Sequence, residues 1–290
     1  MIDAVLLVGH GTVDQLSEIP EFLSRIRGGR PVSAELIHEI TSRYQHIGGS
    51  PLLRTSRAQA AALQQRLGLP CLVAMRMWHP LIADVVQQAQ QQQLRHLLVL
   101  PLAPYSVTVY YQAAQRAVAE RSLSDLTLST VVAWGAQPKL VAAWCEQIRP
   151  WLRDDPDVQL VLTAHSLPSH VIRAGDRYQD EVTQSAAAIA QALGVKHRLA
   201  FQSQGADGGD WVGPTLLETL TSVASEGGRH VVVAPIGFLS DHVETLYDLD
   251  VEAKAQAEGL GLRWSRVPAL NDSSALIDAL EAVARAAMTQ

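Results

Sequence analysis

The chain has 290 residues, 48% hydrophobic and 18% charged, which is apolar material for one large core or two modest ones and excludes a disordered composition. A formal charge of -6, with Lys and Arg scattered singly, excludes nucleic acid as the expected partner, because phosphate binding needs a basic stripe. Cys71 and Cys145 are the only cysteines, so neither a disulfide framework nor a Cys-rich metal cluster is available, and a reducing, cytoplasmic setting fits best.

The opening MIDAVLLVGHG has an acid where a signal peptide wants a cation, and its apolar stretch, AVLLV (4–8), has only strand length. Further apolar runs follow at CLVAMR (71–76), LLVLPL (97–102) and LSTVVAW (128–134), with amphipathic helical patterns at 55–67 and 81–94 between them. The polar stretch WLRDDPD (151–157), with Pro156, reads as a boundary. Beyond it come QLVLTA (159–164), RLAFQS (198–203), HVVVAP (230–235) and RWSRVP (263–268), with helical patterns at 181–193 and 273–288 and a loop at GADGGD (205–210). Continuous apolarity marks strands buried on both faces, hence parallel sheets. No run reaches the roughly 20 residues of a membrane-spanning helix, so a soluble protein is expected, open to transient contact with a membrane surface.

The halves read as copies of one plan. VLLVGHGT (5–12) and LVLTAHSLP (160–168) each run a buried strand into a histidine, and LLVLPLAPYS (97–106) and VVVAPIGFLS (231–240) each run one into a proline and a serine. The predicted fold is α/β: two similar doubly wound domains, 1–153 and 154–290, each with a four-stranded parallel sheet flanked by helices. The C-terminal helix at 273–288 is expected to pack back on the first domain. Ligands of such sheets sit beyond the carboxyl ends of the strands, where all four motifs fall, so the active site is expected in a cleft between the halves.

His165 leads the candidates, since it follows a buried strand and precedes a Ser-Leu-Pro turn, and His10 holds the matching place in the first half. Ser166 as a nucleophile is disfavoured, because neighbours on an extended chain point opposite ways and no G-x-S-x-G elbow exists. In SDHVETLYDLDVEAK (240–254), Ser240 or Asp241 can cap a helix on which Glu244, Asp248 and Glu252 recur every four residues as one acidic row. Such a row is ordinarily a solvated face. Starting at a strand's carboxyl end beside His242, it can instead carry a divalent cation or relay protons. Walker, G-x-G-x-x-G and H-E-x-x-H motifs are absent. Trp78, Trp134 and Trp211 are candidates to line a flat apolar pocket, with core packing the default for each. Arg27, Arg30 and Arg76 could pair with carboxylates of a ligand.

AHSLP (164–168), GDRYQDEV (175–182), FQSQ (201–204), DWVGP (210–214), APIGFLSDHVETLYDLD (234–250) and PALNDS (268–273) together resemble the ferrochelatase family. RIRGGRP (25–31), RYQHIGGSPL (43–52) and MRMWHP (75–80) agree in order, so the resemblance covers essentially the whole chain. It implies a lyase of heme biosynthesis that inserts Fe2+, as substrate, into protoporphyrin IX or coproporphyrin III. It further implies His165 and Glu244 as catalytic residues that also handle the metal, with Asp248 and Glu252 continuing the acidic row; His10, from its matching place in the first half, is a further candidate metal ligand. Arg27, Ser50, Met75, Arg76, Tyr105 and Trp211 match positions near the porphyrin. No Cys-rich extension is present, so no iron-sulfur cluster is expected. A monomer is expected, open to contact with other enzymes of the heme pathway. His10-Gly11, where the family usually has G-T-P, resembles the smaller chelatases that load cobalt or iron into sirohydrochlorin, which makes that activity the nearest alternative. A non-catalytic porphyrin or heme carrier is the other, and it would have no use for an acidic row.

Metallation must strip two pyrrole protons and deliver a desolvated dication to four nitrogens in a rigid plane. Neutral His165 as proton acceptor, with Glu244 sharing the charge and helping to position the metal, meets the first need. A pocket that bends the macrocycle meets the second.

Overall fold

The computed structural model describes residues 1–152, 157–205 and 209–289. Contacts divide the chain into two compact units, residues 1–132 with 277 onward, and residues 133–276. The expected junction at 153/154, with Pro156, lies outside the described residues, as do positions 206–208 of the GADGGD loop.

The first unit runs β1 (Ala4–Gly9), α1 (Ile19–Ile26), α2 (Ala34–His46), α3 (Leu52–Leu67), β2 (Cys71–Met75), α4 (Ile82–Gln91), β3 (His96–Pro101), α5 (Val107–Glu120) and β4 (Thr127–Thr130). Its strands are parallel, in the order β2-β1-β3-β4. β1 and β3 are inner strands and are almost wholly buried, which is why their sequences are unbroken apolar runs. Ile82, Val85, Val86 and Ala89 of α4, with Ala114 and Ala117 of α5, pack on Leu6, Val8, Leu97 and Val99. β4 stops at Thr130, short of the expected 134, and Val132 is exposed, since an edge strand needs no second buried face.

The second unit begins with α6 (Pro138–Leu152), β5 (Gln159–His165), α7 (Ser169–Arg173), α8 (Tyr178–Leu193) and β6 (His197–Gln202). It continues with α9 (Leu216–Ser225), β7 (His230–Ala234), α10 (Val243–Leu246), a π-helical segment (Asp248–Ala253), α11 (Lys254–Gly259) and β8 (Arg263–Arg266). The order is β6-β5-β7-β8, again parallel. α6 groups with this unit: Ser185 Oγ of α8 donates to Gly135 O at 2.7 Å, and Cys145 Sγ reaches Ile189 O at 3.7 Å. The final helix, α12 (Ser274–Met288), is tied to α3 of the first unit, with Arg66 Nη1 on Asp278 Oδ1 at 3.0 Å and Arg285 Nη2 on Arg66 O at 2.9 Å.

The duplication extends to single hydrogen bonds. Met75 N donates to Pro80 O at 2.7 Å and Phe201 N to Pro214 O at 2.8 Å, each at the end of the strand beside β1 or β5. Gly9 pairs with Met75 and Ala164 with Phe201, so His10 and His165 hold equivalent places one residue further on. At the other end of the sheets, His96 Nε2 meets Ser129 Oγ at 2.7 Å and His230 Nε2 meets Ser265 Oγ at 3.0 Å. On the same register Pro101 matches Pro235, and counting on from each sets Tyr110 where the second unit has Glu244. The histidine is duplicated; the carboxylate is not.

Candidate active site

In each sheet the chain steps to one side of the first strand and then back to the other, so the switch point of the second unit lies between β5 and β7. A doubly wound sheet opens a crevice there, beyond the carboxyl ends of its strands. His165 ends β5, and the segment after β7 brings Glu244 to it: His165 Nδ1 and Glu244 Oε2 lie 2.7 Å apart. Their side chains are 36% and 26% exposed, enough for a ligand to reach them.

Several neighbours fix the pair. Tyr178 OH donates to His165 O at 2.8 Å. Gln202, at the end of β6, accepts from Thr163 Oγ1 at 2.7 Å and donates from Nε2 to Glu244 O at 3.0 Å, which ties α10 to the sheet. His242 Nε2 stands 3.7 Å from Glu244 Oε1, and its ring lies 4.9 Å from that of Phe238. Glu244 thus has an imidazole against each oxygen.

Electrostatics follow from this packing. Burial alone would pull the His165 pKa down, but the charge of Glu244, its hydrogen bond and the charge of Asp248 outweigh burial, so the imidazole is more basic than usual. Burial would likewise raise the Glu244 carboxyl, and the two histidines hold it well below the ordinary carboxylate range. With Nδ1–H donating to a carboxylate, the lone pair of His165 is left on Nε2.

The acidic row departs from the expected α-helix. α10 is a single turn, and from Asp248 the backbone widens, with Glu252 N donating to Tyr247 O, five residues back, at 3.1 Å. Neither Ser240 nor Asp241 caps it. The cap position is His242, whose backbone N–H is satisfied by Thr245 Oγ1 at 3.0 Å, while the Asp241 carboxylate is held by Thr245, Asn271 and Arg266. Leu249, Ala253 and Ala257 recur every four residues as the face buried on the core of the second unit. Glu244, Asp248 and Glu252 lie beside that face and not opposite it, and all three are half-buried, which a solvated face would not be. Asp248 Oδ2 accepts from Ser203 Oγ at 2.5 Å. Among the described residues no three His, Cys, Asp or Glu side chains gather closely enough to cage a metal ion. One oxygen of Glu244 is turned to His165 and one of Asp248 to Ser203.

The other expected residues fall in several places. Trp211 is half-buried, bridged to Pro168 in the turn after His165, and its ring packs over Gly205. In the first unit His10 is exposed after β1, with its carbonyl accepting from Met77 N at 2.8 Å. Arg27, at the end of α1, and Arg76, after β2, are half-buried, whereas Arg30 is exposed; Ser50 Oγ accepts from Leu52 N at 3.4 Å at the start of α3. Met75 and Tyr105 are buried, and the Met75 sulfur fills the space beside Gly9, where a Cβ would lie 2.7 Å away. Trp78 and Trp134 are likewise core residues, Trp78 packed edge-on against Phe22 at 5.7 Å. Ser166 faces inward and donates to Val212 O at 2.8 Å, so it is no nucleophile. Sequence reasoning did not single out Gln202 and Ser203, which bond to Glu244 O and to Asp248; FQS in the strand-end motif was the available signal for both.

The fold is that of known chelatases. SirB from Bacillus subtilis with Fe3+ matches it with a TM-score of 0.66 at 14% identity, over 98% of this chain and 95% of that one, a likeness of fold alone. Residues 2–288 match the Ferrochelatase family, and the chain belongs to that family. A ferrochelatase from Acidobacterium capsulatum is 37% identical, covering 98% of this chain and 94% of its own. A coproporphyrin III ferrochelatase from Geobacillus kaustophilus is 33% identical, covering 96% and 94%. The protein is accordingly a porphyrin metal chelatase with ferrous iron as its substrate. Among the described residues no helix is long and apolar enough to cross a membrane.

Proposed function

We propose that His165 is the acceptor of the pyrrole protons and that Glu244 is its working partner. The observation that carries this reading is the 2.7 Å contact between the two at the switch point of the second sheet. Nδ1–H of His165 is committed to Glu244, so Nε2 takes the proton, and the imidazolium that forms is stabilised by the carboxylate already beside it. Two protons leave as one dication enters, and His165 returns to neutral between them by passing its proton to solvent. Asp248 and Glu252 supply hard oxygens along which a divalent ion can move toward Glu244.

Each unit carries its own candidates for recognition: in the first, Arg27, Arg76 and Ser50 suit the propionates of a porphyrin and His10 suits a metal ion, and in the second Trp211 suits the flat face of a macrocycle. The setting is cytoplasmic, the chain acts as a monomer, and no iron-sulfur cluster takes part. The family match favours porphyrin over sirohydrochlorin, since the likeness to SirB is one of fold. The test is porphyrin absorbance with ferrous iron or zinc, run in parallel on protoporphyrin IX, coproporphyrin III and sirohydrochlorin. Replacing His165 by Ala lowers metal insertion by roughly 10²- to 10⁴-fold while porphyrin binding persists. Retained turnover in that variant would remove His165 from the chemistry.

A further inference from the structure

One guanidinium holds both ends of the segment that carries Glu244. Arg266, the last residue of β8, donates from Nε to Asp250 Oδ1 at 2.6 Å and from Nη2 to Asp250 Oδ2 at 2.7 Å. Its Nη1 donates to Asp241 Oδ1 at 2.9 Å. Asp241 precedes α10 and Asp250 lies within the π-helical segment, so the two carboxylates bracket Glu244 and Asp248 along the chain. Asp241 is satisfied all round: Thr245 Oγ1 donates to Oδ1 at 3.0 Å, Asn271 Nδ2 donates to Oδ2 at 2.9 Å, and its own N–H donates to Asn271 Oδ1 at 2.8 Å.

The side chains of Arg266 and Asp241 are 11% and 12% exposed. Taking such charges out of water is costly, and well-packed apolar residues often serve stability as well or better, so a buried cluster of this kind is weak evidence for a stabilising role. What it supplies is geometry. The planar fork of arginine fixes distance and rotation together, which a lysine cannot do. Asp248 and Asp250 are two residues apart in the wide turn, one held by Ser203 and the other by Arg266.

We propose that Arg266 is a positioning residue for metal insertion, clamping Asp241 and Asp250 so that Glu244 stays against His165 and Asp248 against Ser203. The inference rests on Glu244 being the working carboxylate. It is tested on the full chain with Arg266→Lys and Asp250→Asn, by zinc insertion into porphyrin, porphyrin affinity from fluorescence quenching, and the imidazole 15N signals of His165. The expected result for Arg266→Lys is a fall in kcat of at least about tenfold, as misplacement of reacting groups gives. Porphyrin affinity stays within about twofold, the His165 signals shift, and Asp250→Asn follows in the same direction to a smaller extent. If Arg266→Lys does not fold, Asp250→Asn decides alone. Turnover within about twofold of the parent overturns the clamp whatever the melting temperature, and so does a loss wholly accounted for by weaker porphyrin binding. Glu244→Gln, run alongside, separates the two ways of failing. Full turnover in Glu244→Gln removes the role of Glu244 and the clamp with it, whereas lost turnover there beside intact turnover in the other variants overturns the clamp alone.

Discussion

His165 Nδ1 and Glu244 Oε2 meet at 2.7 Å although 79 residues separate them in the chain. Two inner strands, β5 and β7, deliver them to one end of the sheet, and the hydrogen bond leaves Nε2 as the basic nitrogen. The carboxylate raises the His165 pKa against the opposing effect of burial, and this has a kinetic sign. In the proposed role His165 must be neutral to accept a proton, so the rate is expected to fall as pH drops below its raised pKa. In Glu244→Gln the raising charge is gone and the pKa descends, so the acidic limb of the kcat/KM profile moves to lower pH. The plateau itself falls roughly 10- to 100-fold, as for other losses of a supporting partner of a working imidazole. A limb that stays in place, or moves to higher pH, would show that Glu244 does not set the basicity of His165.

Ser166 offers a second test, because its buried hydroxyl points to Val212 O and not toward the open end of the sheet. Ser166→Ala deprives that carbonyl of a donor and costs about 1–3 kcal/mol of stability. Metal insertion below the melting temperature stays near the parent rate. Thermal melts and zinc-insertion rates on one preparation measure both, and a rate loss beyond about tenfold in a folded variant would return serine to the chemistry.

The legible and the illegible parts of this site differ for physical reasons. β1, β3, β5 and β7 could be read directly because burial on both faces leaves uninterrupted apolar runs, and the repeated strand-to-histidine pattern placed His10 and His165 correctly on equivalent registers. α9 carried its own start signal, since Thr215 and Glu218 cap each other's backbone N–H groups. The π-helical segment carried none. A four-residue spacing of acids fits an α-helix and a wider turn alike, and the side chains that hold the segment, Arg266 and Ser203, are distant in sequence and meet it only in the fold. Met75 and Tyr105 show another limit: resemblance transfers a residue's identity but not its burial, and both side chains are packed inside.

Gly237 ties the turn after β7 to the strand that ends in His165, and a methyl group there tests how closely that approach controls the site. Gly237 N donates to Thr163 O at 3.0 Å, and a Cβ would lie 2.7 Å from both Cα and Cβ of Ala164 and 3.5 Å from His165 N. Those neighbours are mostly backbone and cannot swing aside, so alanine must push β5 and the turn apart. Reduced freedom of the unfolded chain would favour alanine by about 0.4–1 kcal/mol, but overpacking costs about 1–3 kcal/mol and wins. Gly237→Ala is therefore less stable, and its turnover falls at least about tenfold as His165 is displaced from Glu244. Gly259→Ala is the matched control: it ends α11, nothing stands within 4 Å of its Cβ position, and the same entropy term acts unopposed. That variant melts higher with unchanged turnover. Melting curves and zinc-insertion rates for the pair settle the matter, and equal behaviour of the two variants would mean that the turn does not govern the placement of His165.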